Sequence, residues 1–190
     1  MSIILASASS RRRELLEMLG VKDLKVIPSR ADETLPSGHS PKEAACHLSL
    51  VKAREVAARC SPEDIIIAAD TIVEAEGRIL GKPVDEKQAA AMLRSLSGRS
   101  HRVFTGVTVI GGGRELTCAE ETVVRFRPIT ESEIWAYIAT GEPMDKAGAY
   151  GAQGIASLFV EGVHGDFFNV MGLPLCRLGK MLSELGVDLI

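Results

Sequence analysis

The sequence predicts a mixed α/β fold: a mixed β-sheet with flanking helices, and a long hairpin with its adjacent helix as a side lobe. Two short, unbroken apolar runs read as strands, Ile3–Leu5 and Ile65–Ile67, the second as one buried on both faces. Stretches with helical spacing and capping signals alternate with them, as a layered α/β arrangement requires. A Val- and Thr-rich run from Arg102 to Ile110, the turn Gly111-Gly-Gly113 and an alternating run from Leu116 to Phe126 read as a long antiparallel hairpin. A chain of 190 residues buries roughly 70% of its unfolded surface and needs no metal or disulfide to hold a core.

In chain order, Ile3–Leu5 is the first strand, and Ala6-Ser-Ala-Ser-Ser10 leads into a helix from Arg11 to Gly20. Leu15, Leu16, Met18 and Leu19 form its apolar stripe, with Ser9 or Ser10 as cap and Gly20 as stop. Leu24 to Ile27 reads as a second strand, followed by a loop bearing the adjacent acids Asp32 and Glu33. Ser40-Pro-Lys-Glu43 is a capping box with Pro at the first helical position, and opens a helix to about Arg59. Lys52 lies in that helix and reads as surface charge. Asp85 with Gln88 caps a helix ending near Gly98, and Thr130-Glu-Ser-Glu133 opens one through about Ala139 with Trp135 and Ile138 inward. Glu142 to Gly154 reads as a Gly-rich loop, Ser157 to Val163 as the last strand, and Gly172-Leu-Pro-Leu175 as the start of a terminal helix.

Composition narrows the function classes. Net charge is −3, which gives no global attraction to nucleic acid or anionic membrane. Positive charge is nonetheless dense at Arg11-Arg-Arg13, which suits a small polyanion. Five Phe, two Tyr and one Trp are too few for a single-strand stacking platform. No apolar window approaches the roughly 20 residues of a bilayer span, and the N-terminus lacks the basic flank of a signal peptide, so a cytoplasmic protein is expected. Cys46, Cys60, Cys118 and Cys176 lie far apart, which argues against a zinc knuckle and predicts buried, reduced thiols.

The chemistry concentrates in two stretches. The run Ile65–Ile67 is expected to end as a strand near Asp70, placing a carboxylate where a core strand opens, and Ile72 and Val73 resume the strand pattern beyond it. Glu74-Ala-Glu-Gly77 then reverses the chain, so that Ile79 and Leu80 return alongside and Lys82 comes back toward Asp70. At the first strand's end, four small residues before a helix let backbone N–H groups approach an anion at the positive end of the helix dipole. Arginines in that first turn oppose the dipole by a few tenths of a kcal/mol each, a penalty a bound anion relieves.

Together, Leu5-Ala-Ser-Ala-Ser-Ser-Arg-Arg12, Ala31-Asp-Glu33, Ala69-Asp-Thr-Ile-Val73, Gly81-Lys-Pro83, Leu96-Ser-Gly98, Asp145-Lys-Ala-Gly-Ala-Tyr-Gly151, Gln153-Gly and Asn169-Val-Met-Gly-Leu-Pro174 resemble the Maf family of nucleotide pyrophosphatases, in order and over nearly the whole chain. Ser10 departs from the pattern, since relatives often have Pro there. The resemblance implies the fold of inosine-triphosphate pyrophosphatases, a long twisted mixed β-sheet with flanking helices, in one domain over residues 1–190 with two lobes around a central cleft. It also implies hydrolysis of a nucleoside triphosphate to monophosphate and pyrophosphate with a divalent cation, Mg²⁺ or Mn²⁺. Asp70 is then the proton acceptor, with Glu33 and Asp70 as metal ligands.

That chemistry needs neutralised phosphates, an attacking water and a carboxylate. Ser7, Ser9, Arg11 and Arg12 can cradle phosphate, with Lys52, Lys82 and Lys146 as further clamps. The subgroup acting on dTTP and UTP carries Arg, Thr and Gln at three selectivity positions, matched here by Arg11, Thr71 and Gln153. A glutamine amide pairs with the adjacent acceptor and donor of uracil or thymine, though flipped it serves cytosine equally; a donor-only arginine favours a carbonyl over cytosine's amino group. The resemblance further suggests a homodimer. The alternative reading is a nucleotide-sensing regulatory protein of cell division, since family members are linked to arrest of septation.

Overall fold

The computed structural model describes residues 1–21, 23–34 and 38–189. Its strands are β1 (Ile3–Leu5), β2 (Lys25–Val26), β3 (Ile65–Ala75), β4 (Arg78–Leu80), β5 (Ser100–Gly111), β6 (Arg114–Phe126) and β7 (Val160–His164). They form a seven-stranded mixed sheet in the order β2-β1-β3-β5-β6-β7, with β4 paired to β3. Its helices are α1 (Ser10–Met18), α2 (Pro41–Ala57), α3 (Glu86–Leu96), α4 (Glu131–Ile138), α5 (Phe167–Met171) and α6 (Leu175–Glu184). The predicted mixed α/β class is the observed one.

The chain divides into two compact units. The first comprises Met1–Asp70, Thr105–Glu120 and Gly172–Ile190, and the second Thr71–Phe104 and Glu121–Met171. The hairpin read from the sequence as part of a side lobe is therefore shared: its tip belongs to the first unit and its base to the second.

In the first unit, β1 runs parallel to β2 and to β3, with Ile3 opposite Ile65 and Leu5 opposite Ile67. The unbroken apolar runs are what this position demands, because Ile4, Leu5, Ile66 and Ile67 are almost wholly buried. α2 buries Ala44, Ala45, Leu48, Ala53 and Val56. It approaches β5 so closely that a Cβ on Gly106 would stand 2.0 Å from the Ala45 carbonyl oxygen. The polar groups buried between them pair with each other, the Ser49 and Thr108 hydroxyls lying 2.9 Å apart.

In the second unit, β3 turns into β4 through Glu76 and Gly77, both at positive φ (52° and 78°), the conformation of a two-residue hairpin turn. Buried Glu74 secures the turn: its carboxylate accepts the Gly77 N–H at 2.6 Å and Arg102 Nε at 2.7 Å. α3 and α4 supply Leu93, Leu96, Ile134, Tyr137 and Ile138 to a core completed by Phe126, Tyr150 and Phe159.

Several expectations are corrected. β3 does not stop near Asp70 but runs straight through it, because Ile72 and Val73 are buried as fully as Ile65–Ala69. Met18 and Trp135, placed on inner faces by spacing, are 59% and 42% exposed; Leu15 with Leu16, and Ile134 with Tyr137, fill those faces instead. Residues Ile155–Phe159 form a 3₁₀ turn and only Val160 onward is strand, while the five-residue helix α5 went unread. All four cysteines are free, but Cys176 is exposed and the other three are only partly buried.

Candidate active site

Seven of the residues picked from sequence lie in the first unit and are positioned by three elements and two loops. Ser9 caps α1 by accepting the Arg12 N–H at 3.4 Å, so the first helical turn begins where the small-residue loop ends. Ser7, buried at the foot of that loop, accepts the Ser9 N–H at 3.2 Å and Arg12 Nη1 at 3.2 Å. Arg12 Nε donates to the Gly172 carbonyl at 2.8 Å. The guanidinium thus lies back over the loop, anchored at both ends. Burial lowers the Arg12 pKa from its usual value; the charges of Asp70 and Glu33 work against that, and Arg11 works with it. Arg11, Arg12, Glu33 and Asp70 therefore share one electrostatic neighbourhood.

Its centre is Lys52. From mid-α2 its Nζ donates to Asp70 Oδ1 at 2.5 Å and meets Glu33 Oε1 at 3.1 Å. The Lys52 and Asp70 side chains are only 12% and 14% exposed, whereas Glu33 is 61% exposed. The lysine bonded to Asp70 is thus one that sequence spacing assigned to the surface. Arg12 and Lys52 act on the carboxylates of Glu33 and Asp70, and Arg11 adds its charge beside Arg12. Such a set leaves one positive charge for a polyanion while keeping a proton-accepting oxygen at hand.

Two carboxylates converging on a single ammonium are also suited to a divalent cation, since both are hard oxygen donors and Mg²⁺ needs only one or two from protein when phosphates and water supply the rest. Among the described residues no group of three or more His, Cys, Asp and Glu side chains could hold a metal.

The remaining candidates lie in the second unit. Thr71 follows Asp70 in β3 and is half-buried. Lys82 is exposed on the wall of a hollow of about 430 Å³ that Leu80, Gln88 and Met92 also line. Lys146 Nζ donates to the Glu142 carbonyl at 2.6 Å and to Asp145 Oδ1 at 2.7 Å. Its stem lies against Gly151, where a Cβ would stand 2.8 Å from Lys146 Cε. Gln153 is exposed at the tip of the same loop.

Sequence reasoning missed three contributors. Gly172 presents its carbonyl to Arg12, and only its place in the Asn169–Pro174 motif hinted at a role. Tyr137 and Glu142 hold the Gln153 segment, which nothing in their spacing discloses.

The profile of the family described as Maf-like protein matches residues 2–185. A protein named dTTP/UTP pyrophosphatase from Thermococcus gammatolerans is 50% identical over 188 residues, covering 99% of this chain and 98% of that one. One of the same name from Symbiobacterium thermophilum is 49% identical over 184 residues, covering 97% and 94%. Among solved structures, a HAM1 protein from Coxiella burnetii aligns over 97% of this chain and 99% of its own, with 17% identity and a TM-score of 0.48.

Proposed function

The chain belongs to the Maf-like protein family, and from that membership we propose that it hydrolyses dTTP and UTP to the nucleoside monophosphate and pyrophosphate. The names of the relatives that are 50% and 49% identical over nearly the whole chain support the substrate assignment. The observation that carries the chemistry is the Lys52 ammonium bonded to both Asp70 and Glu33 beside Arg12.

Water attacks the α-phosphorus and Asp70 takes its proton; the new bond is from water oxygen to phosphorus. The bond from that phosphorus to the bridging oxygen breaks, and pyrophosphate leaves with the electron pair. Lys52, hydrogen-bonded to Asp70, holds the carboxylate in place and faces the charge that builds on the phosphate. Arg11, Arg12 and the loop of Ser7 and Ser9 bind phosphate oxygens, with Lys82 and Lys146 as further clamps. Glu33 and Asp70 are the residues that would hold Mg²⁺ or Mn²⁺, which when bound supplies further neutralisation of the phosphates. We assign base recognition to Arg11, Thr71 and Gln153: the Gln153 amide matches a carbonyl and the neighbouring N3–H, and the donor-only Arg11 favours a carbonyl over an amino group.

A screen of nucleoside triphosphates with Mg²⁺ and with Mn²⁺, separating pyrophosphate from orthophosphate, tests this. Pyrophosphate release is expected with dTTP and UTP, and orthophosphate release or purine preference would overturn the assignment. Asp70→Asn is expected to lower kcat by at least about a thousandfold, as loss of both a proton acceptor and a charge implies, with the far-UV spectrum unchanged.

A further inference from the structure

Gln153 is exposed, yet the backbone on either side of it is tied down. Before it, the Gly151 N–H donates to the Tyr137 hydroxyl oxygen at 3.3 Å. After it, the Ile155 N–H donates to Glu142 Oε2 at 3.2 Å. The two acceptors are themselves joined, for the Tyr137 hydroxyl donates to Glu142 Oε1 at 3.0 Å. A phenol carries one donor and two acceptor lone pairs, so Tyr137 gives to Glu142 and receives from Gly151 at the same time. Hydrogen bonds thus close a loop from Gly151 through Tyr137 and Glu142 to Ile155, with Gln153 at its outer edge.

The parts of this brace are fixed. Tyr137 is buried on α4, its ring edge-on to Phe159 at a centroid distance of 5.4 Å. Burial, and then the Glu142 charge, raise the phenol's pKa above its usual value, so the hydroxyl keeps the proton it donates. The backbone around Gln153 has little slack: Gly154 sits at φ +114°, and a Cβ there would stand 2.9 Å from Glu142 Oε1.

We propose that Tyr137 and Glu142 are positioning residues that set nucleobase selectivity by holding Gln153 in the orientation that reads the base. This rests on the reading of Gln153 as a base contact. An exposed side chain on an untied loop would have to be ordered by each incoming base, whereas a braced one presents its amide ready-made and discriminates between donor and acceptor patterns.

The test is kcat and KM for dTTP, UTP and CTP in the wild type, Tyr137→Phe, Glu142→Gln, Gln153→Ala and the double variant Tyr137→Phe/Gln153→Ala. Gln153→Ala is expected to lower the dTTP-to-CTP ratio of kcat/KM about tenfold or more, and Tyr137→Phe about fivefold, through KM with kcat held within about twofold. Glu142→Gln, which keeps an acceptor oxygen, should fall between wild type and Tyr137→Phe. In the double variant the ratio should fall no further than in Gln153→Ala alone. An unchanged ratio in Gln153→Ala would remove the reading of Gln153 itself, and the inference with it. A changed ratio there with an unchanged one in both Tyr137→Phe and Glu142→Gln would overturn the brace alone. So would a uniform fall in kcat for every nucleotide, or a further loss of selectivity in the double variant.

Discussion

Lys52 illustrates what a residue's sequence context conceals. Mid-helix, with Val51 and Ala53 beside it, it has the pattern of an ordinary surface lysine, yet its ammonium bridges Asp70 and Glu33. Asp70 was legible because a carboxylate inside an apolar run is costly without a partner; the partner was not, because it comes from another element. His101 is a second residue whose role appears only in three dimensions. Its Nε2 lies 2.7 Å from the Tyr150 hydroxyl and its ring stacks edge-on with Phe126. Burial lowers its pKa from 6.5 to about 4, with Glu74 working against that. Above pH 6.5 the imidazole is neutral in both folded and unfolded chains and nothing is lost. As pH falls from 6.5 toward 4 the unfolded chain binds a proton that the folded chain does not, so stability declines, by roughly 3 kcal/mol at most. Urea unfolding at pH 7 and pH 5 should show this decline, and His101→Gln, which cannot titrate, should make it shallower.

Elements were legible where local chemistry dictates them. The capping boxes at Ser40–Glu43 and Thr130–Glu133 are present as read, since a hydroxyl and a carboxylate three residues apart satisfy two helix-end N–H groups whatever lies around them. α1 starts at its cap, Ser9, although its first turn carries Arg11, Arg12 and Arg13 and no acidic residue. The end of β3 was misread because one polar pair, Asp70-Thr71, looks like a strand boundary while burial of the following residues keeps the strand going. The approach of α2 to β5 is another feature with no local signal. Gly106 permits it by lacking a side chain, so Gly106→Ala must push helix and strand apart. A loss of about 3 kcal/mol or more is expected in chemical denaturation, against about 1 kcal/mol for a helix-cap loss such as Thr130→Ala.

At the scale of the molecule, a net charge of −3 coexists with a site in which cations outnumber carboxylates. Binding of a nucleoside triphosphate to such a site stabilises the folded chain by mass action. A non-hydrolysable dTTP analogue at about a hundred times its Kd should add roughly 2.7 kcal/mol, and raise Tm by roughly 5–10 °C for a chain of this size. Inorganic triphosphate at the same concentration should give a smaller shift, because it engages the phosphate-binding groups without a base. Equal shifts from the two ligands would show that the base contributes nothing to binding.

By itself the sequence determined the fold class, the capped helices and the long hairpin, which follow from apolar periodicity, capping chemistry and short-range spacing, and it carried the order of motifs whose resemblance marks the family. Only the tertiary structure decided that Lys52 is the partner of Asp70 and Glu33, that Gly172 holds Arg12, and that Tyr137 and Glu142 brace the segment carrying Gln153. Those contacts join residues from separate elements or across turns, and their geometry is set by how the backbone packs rather than by any pattern along the chain.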